Sequence, residues 1–380
     1  MIWLPYRLTQ LLPTKARLRK AWYGSPLFRS EREIKRRVTI ASFARSRASH
    51  PEPPDSPSPS VTLCRIIGND LFPRQKQGQS IENLRTILRH ETQPEHWQKL
   101  FVLNRFIEPA LQAEAIELIH QAGHAYEVIG FDPEVYRAFR YRPDLFGGLD
   151  YFRSEQFLAK DPFVQDRERI WACGEKIRYL MNINGARNHA LALGRVATDW
   201  TLVLDGSCYL SCSSFAAIQA DLSGPLDVPY LIIPMRRQVD SQELEALDLS
   251  PSFREEPQIA FRADASEQFD ETYPYGVRDK TSLLNRLGVP GPWCGWAPLD
   301  WHVEAEQRSK DRHRYQYASA SVLRLTSGVS RGALEQSGAQ MQRYRSRINA
   351  IFATLQAVDH QCGAADADVL MTIAGMDPAF

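Results

Sequence analysis

The sequence predicts an α/β fold, a mostly parallel sheet flanked by helices. Two observations carry this. Between residues 61 and 131, three short β-rich runs alternate with two segments whose apolar residues recur at helical spacing, the pattern of βαβ units. Farther on, residues 182–210 (NINGARNHALALGRVATDWTLVLDGSCYL) read as a loop, a helix and a buried strand that stops at Asp205-Gly206-Ser207. In an α/β sheet, ligands gather at the carboxyl ends of strands, so a lone Asp there is well placed to hold a ligand hydroxyl or a metal.

The chain opens on a basic arm, residues 1–49. Residues 1–48 carry twelve Lys or Arg against Glu31 and Glu33, a balance of +10, while the whole chain is +1. Leu4, Leu8, Leu11 and Leu12 fall at helical spacing, with Trp3, Trp22 and Tyr23 nearby. Such an arm suits an anionic membrane surface, where each Lys or Arg adds about 1 kcal/mol. A basic extension packed on the body is the competing reading, and Pro5 and Pro13 break any single helix. Nucleic acid ranks behind both as a partner, because no aromatic-interleaved reading motif accompanies the charge. Residues 50–60 (HPEPPDSPSPS) hold five prolines and read as an extended linker.

The body follows in order. Residues 61–67 (VTLCRII) form a first strand. Residues 81–90 form a helix with Ser80 as its N-cap, 99–104 a second strand, 111–121 a helix stopped by Gly123, and 126–131 a third strand ending at Asp132. Residues 132–180 are rich in aromatic and charged residues without a clear period. A lid or substrate loop and a helical subdomain are both open readings of this insertion. After the fourth strand, 200–204, come a helix at 213–222, a strand at 230–235 and an antiparallel edge strand at 257–262. A stretch dense in Gly, Pro and Trp then spans 269–301, and 331–358 reads as helix. The domain reading is therefore a core at 61–262 and a second region at 263–380.

Composition is that of a globular protein, 43% hydrophobic and 24% charged. No run approaches the roughly 18–20 apolar residues of a spanning helix, and the opening MIWLPYRLTQLLP is a poor secretory signal. The six cysteines are scattered, with only Cys208 and Cys212 close together. They read as buried reduced thiols rather than a zinc site, which favours a cytoplasmic compartment.

Gly185-Ala186-Arg187-Asn188 opening a helix, followed by a buried strand ending in Asp205-Gly206, resembles glycosyltransferases of the GT-A fold. The likeness is greatest to the large inverting family that uses nucleotide-diphosphate sugars, and it covers residues 61–262 in strand order. The resemblance implies transfer of a sugar from a nucleotide-sugar donor to a glycan or glycolipid acceptor. It makes 263–380 the acceptor side; the reduced cysteines and the basic arm point to the cytoplasm, peripheral on the inner face of the membrane. In that family an Asp-X-Asp at this strand end binds Mn2+ or Mg2+ with the diphosphate; here Asp205 and Ser207 stand at those positions. Magnesium often uses only one or two carboxylates and completes its shell with water and phosphate, so one Asp can suffice.

Arg187 and Asn188, at a helix start that favours anions, would lie near the nucleotide. Asn69, Asp70 and Asp132, at strand ends, would hold ribose and base, and Arg65 would add a phosphate contact. For the base that an inverting enzyme needs, Asp300 in PGPWCGWAPLDW fits best. Trp293, Trp296 and Trp301 would stack on sugar faces and shield it, raising its pKa. Glu256 and its neighbour Glu255 are the runners-up, and His302 or His313 is a further possible ligand. The structural readings stand beside these: Asp205 as a turn cap, Arg187 as its salt-bridge partner, the tryptophans as core. Ser207 favours a second function, a non-catalytic GT-A-like protein binding nucleotide or glycan. A nucleotidyltransferase is set aside because Gly68-Asn69-Asp70 is too short for a phosphate-binding loop.

Overall fold

The computed structural model describes residues 59–92, 94–224, 226–237, 255–277, 280–291, 293, 309–325 and 339–375. The basic arm, most of the linker, Trp296, Asp300, Trp301 and His302 lie outside the described residues.

The body begins with β1 (Val61–Gly68), seven of whose eight residues are buried, as expected of a strand covered on both faces. It is followed by α1 (Gln79–His90), β2 (Trp97–Asn104), α2 (Pro109–Gln121) and β3 (Ala125–Ile129). The three strands are parallel, with Cys64 opposite Leu100 and Leu100 opposite Ala125. Ser80 is not the cap of α1. The cap is Gly78, at φ 82°, and Ser80 sits in the first turn with its N–H and hydroxyl on Asp70. Gly123, at φ 72°, does stand just past α2.

The 132–180 insertion is helical. It comprises α3 (Pro133–Ala138), two short 3-10 turns, α4 (Glu155–Leu158), α5 (Pro162–Ala172) and α6 (Gly174–Leu180). Then come α7 (Ile183–Ala197), β4 (Trp200–Asp205), β5 (Cys208–Tyr209), α8 (Cys212–Ser223), β6 (Tyr230–Ile233), β7 (Met235–Arg237) and β8 (Gln258–Arg262). The chain continues through α9 (Thr281–Leu287), β9 (Tyr315–Tyr317), β10 (Val322–Arg324), α10 (Ala339–Cys362) and α11 (Ala367–Ala374). The insertion shares one core with the two last helices, where Tyr136, Phe157 and Ile177 pack with Ile351, Leu355 and Leu370.

The main sheet has seven strands in the order β3-β2-β1-β4-β8-β6-β9. β8 alone runs against its neighbours, between β4 and β6. Residues 257–262 are therefore antiparallel, as the sequence suggests, but interior rather than at an edge. Four of the five residues of β8 are buried, and that surface needs cover on both sides. The single run at 230–235 divides at Pro234, which has no N–H to continue the ladder. β6 stays in the main sheet and β7 joins β10 and β5 in a small second one.

Strand alternation assigns the faces. Cys64, Ile66 and Val203 meet α7 and α9 through Ala186, Ala190, Leu283 and Leu284. On the other face Ile67, Phe101 and Leu103 meet α1 and α2, while Leu63, Leu202 and Leu204 meet α8. Of the described cysteines, Cys64, Cys173, Cys208 and Cys362 are buried free thiols, and Cys212 is exposed. Among the described residues no helix is long and apolar enough to cross a membrane.

Candidate functional site

The chain builds β1, β2 and β3 outward in one direction and then returns to place β4 on the other side of β1. The crevice of an open α/β sheet opens at this reversal, outside the carboxyl ends of the strands. Asp205 ends β4 there, opposite Ile66 of β1. A Cβ on Gly206 would stand 2.6 Å from the Ile66 carbonyl oxygen, so glycine is required by close approach of the two strands. Gly194 does the same for α7, where a Cβ would stand 2.3 Å from the Thr201 side chain. The helix thus lies directly on β4 and carries Arg187 to the strand end.

At the start of α7, Asn182 takes a left-handed conformation at φ 45° and donates to Asn104 Oδ1 at 2.9 Å. Asn104 in turn donates to the Met181 carbonyl at 2.8 Å, fastening the helix entrance to the end of β2. Arg187 and Asn188 are the fifth and sixth residues of this helix, past the free N–H groups of its first turn. Their roles come from their side chains.

Asp205 is surrounded by cations. Arg187 donates to its Oδ1 at 2.7 Å, and Lys280 Nζ stands 3.9 Å from its Oδ2. Arg324 is delivered by β10, where it pairs with Cys208, and the Leu325 N–H donates to the Ser207 carbonyl at 2.8 Å. Burial pushes the Asp205 carboxyl up, but Arg187, Lys280 and Arg324 outweigh it and hold it well below the usual carboxylate range. Arg187 also donates to Asn184 Oδ1 at 3.0 Å and lies 5.3 Å from the centre of the Phe269 ring. Lys280, 3% exposed, points its ammonium to the Glu256 carbonyl at 3.5 Å.

A second group of cations gathers on Tyr275. Arg74 donates to the Tyr275 hydroxyl at 3.1 Å, and the Arg347 guanidinium lies 5.7 Å from its ring centre. Burial lowers the Arg74 pKa, Tyr275 opposes that shift, and the neighbouring Arg347 and Arg324 add to it. Tyr275 and Tyr273 line a shallow cleft with Arg178, Asn184, Gly185 and Glu271, at the entrance of α7.

The other predicted residues have more local duties. Asn188 holds the segment that leads to these tyrosines: its Oδ1 accepts from the Phe269 N–H, and its Nδ2 donates to the Phe269 carbonyl and to Glu271. Asn69 joins the ends of β1 and β2, donating to the Arg105 carbonyl at 2.7 Å and accepting from the Ile107 N–H at 2.9 Å. Asp70 accepts from Ser80, and Asp132 caps α3 through the Glu134 and Val135 N–H groups.

Two expectations are corrected. Arg65 is no phosphate contact: it faces away from α7, is 1% exposed, and forks onto Glu91 at 2.7 and 3.0 Å. Trp293 is no stacking platform at a surface. It is 1% exposed in the core and donates from Nε1 to the Val289 carbonyl at 3.0 Å. Glu255 is forked onto Arg237 at 2.7 and 3.1 Å. His313 lies against Gly288 past the far end of α9, about 10 Å of helix from Lys280.

The sequence singled out Asp205 and Arg187 but missed Lys280, Arg324, Arg74 and Tyr275. No local motif marks them, because strand pairing and a loop crossing bring them in.

The donor set does not fit a resident divalent metal. Among the described residues no three His, Cys, Asp or Glu side chains are placed to hold one. Asp205 is shared between Arg187 and Lys280 with Arg324 alongside, so a metal ion would meet three positive charges around one carboxylate.

Fold and site together define an open α/β protein with a basic crevice at its switch point. No family model matches the chain, and no curated protein matches it. Among solved structures it is similar to a mannosyltransferase from Pyrobaculum calidifontis in complex with GDP-Man and Mn2+. The identity is 11% and the TM-score 0.37, over 95% of this chain and 84% of that one. It is also similar to S. aureus TarS 1-349 in complex with UDP, at 10% identity and a TM-score of 0.35, over 83% of this chain and 90% of that one.

Proposed function

We propose that the protein is a glycosyltransferase moving a sugar from a nucleotide-diphosphate donor to a glycan or lipid-linked acceptor, with inversion. The observation that supports this is the group Arg187, Lys280 and Arg324 about Asp205, in the crevice where an open α/β sheet takes its ligand. Donor binding and departure both demand positive charge there. As the bond from sugar C1 to the β-phosphate oxygen breaks, the leaving diphosphate gains one negative charge. The acceptor oxygen bonds to C1 from the opposite face, and its proton passes to a carboxylate. Asp300 and Glu256 are the candidates for that base, and the Glu256 backbone already touches Lys280. Trp296 and Trp301 are the acceptor-side residues of this reading.

A thermal-stability panel of UDP-, GDP-, CMP- and dTDP-sugars tests the donor. Binding at about 100 times the dissociation constant stabilises by about 2.7 kcal/mol, and no shift with any of them overturns the reading. Glu256→Gln and Asp300→Asn separate the bases: the true one keeps donor binding and loses transfer. Binding without transfer to any acceptor would favour the non-catalytic alternative, for which Ser207 speaks.

The basic arm, residues 1–48, is proposed to hold the protein peripherally on the cytoplasmic membrane face. A chain beginning at Val61 should no longer sediment with anionic liposomes, and equal sedimentation of both forms removes this part.

A further inference from the structure

The geometry points to a diphosphate held directly by side-chain cations, with Lys280 and Arg324 standing where a divalent metal would and Arg74 beside them, and Asp205 acting as a positioning anion. This rests on the nucleotide-sugar reading and narrows it.

Three relationships carry the inference. Asp205 has little left to offer a metal: Arg187 occupies Oδ1 at 2.7 Å and Lys280 faces Oδ2 at 3.9 Å. The carboxylate instead orders its neighbours, fixing the head of Arg187 and drawing Lys280 to the strand end. Next, β10 pairs with the chain just past Asp205. The Leu325 N–H donates to the Ser207 carbonyl at 2.8 Å, and Arg324, opposite Cys208, is close enough for its positive charge to act on the Asp205 carboxyl. Glu255, the other carboxylate that acts on Arg324 besides Asp205, is already forked onto Arg237.

Finally, Arg74 donates to the Tyr275 hydroxyl at 3.1 Å, and the Arg347 guanidinium stands over the same ring at 5.7 Å. Guanidinium groups gathered on a phenol repel one another unless an anion joins them. Their planar forks match phosphate oxygens in pairs, whereas Lys280 offers a point charge. A diphosphate would bring negative charge to these cations, which would then neutralise the charge it gains on departure.

Titration calorimetry of the full chain with UDP and GDP, in EDTA and again with Mn2+, tests this. The expected result is binding in EDTA whose affinity Mn2+ changes by no more than about two-fold, well under one decade of binding free energy. Arg324→Gln and Lys280→Met should each weaken it about ten- to a hundred-fold, as loss of a charged hydrogen-bond partner does. Binding that disappears in EDTA and returns with Mn2+ overturns the metal-free site and leaves the glycosyltransferase reading standing. No binding of either diphosphate in either condition overturns both. Binding in EDTA that neither variant changes overturns the placement on these cations. Lys280 is 3% exposed, so if its variant does not fold, Arg324→Gln and the wild-type comparison carry the test.

Discussion

Arg187 donates to Asp205 Oδ1 at 2.7 Å, joining the fifth residue of α7 to the last residue of β4. The pair ties the two halves of the stretch 182–210 together at the carboxyl edge of the sheet. Gly194 makes it possible, because any side chain there would hold the helix off Thr201 and withdraw Arg187 from the strand end.

Acid should release this pair. Asp205 has a folded-state pKa held below the ordinary carboxylate value, so the unfolded chain takes up its proton first as pH falls. Its contribution to stability is then complete above about pH 4 and is lost as pH drops through the folded value. Urea midpoints of wild type and Asp205→Asn, followed from about pH 7 to about pH 2, should differ by a constant amount down to about pH 4 and converge below it. A gap as wide at the acid end as at neutrality would mean the ionised carboxylate is not its source.

Arg65 separates a structural cation from a ligand-binding one. Its partner Glu91 is fully buried, is also 3.1 Å from Lys99 Nζ, and accepts from the Leu210 N–H at 2.9 Å. Burial lowers the Lys99 pKa, and Glu91 opposes that shift. Removing one member of such a group strands the others, at a cost of about 3–5 kcal/mol. Arg65→Met should therefore lose about that much stability in urea while the folded protein keeps its affinity for nucleoside diphosphate. A variant of ordinary stability with weakened nucleotide binding would return Arg65 to the crevice.

The course of the chain was legible where the period was long enough to read. β1, β2, β3 and β4 are apolar runs bounded by helices or turns, and their parallel pairing follows from the alternation. β5, β7, β9 and β10 have two or three residues each, too few to show a period, and β10 is the strand that delivers Arg324. Asp205 was legible because it ends a buried strand. Arg65 was misread although its alternation with Cys64 and Ile66 is plain, because sequence does not say which face of the sheet bears the crevice. Trp293 was misread because a Gly-, Pro- and Trp-rich stretch looks alike whether it lines a surface or fills a core.

The helical insertion and the C-terminal helices are held by a buried polar group. Lys176, fully buried, donates to Asp359 Oδ1 at 2.7 Å and to Asp366 Oδ1 at 2.6 Å. The Tyr136 hydroxyl donates to Asp359 at 2.7 Å, and Tyr141 donates to its other oxygen. Burial, reinforced by Asp359, pushes both phenols up, so they stay protonated donors. Lys176→Met leaves Asp359 a buried anion without its cation and should cost about 3–5 kcal/mol in urea unfolding. Adding Asp359→Leu removes that charge as well and should recover part of the loss, since an apolar replacement of a whole buried pair is often near neutral. A single variant within about 0.5 kcal/mol of wild type, the range of an ordinary surface change, would show that Lys176 is not the tie between α6 and α10.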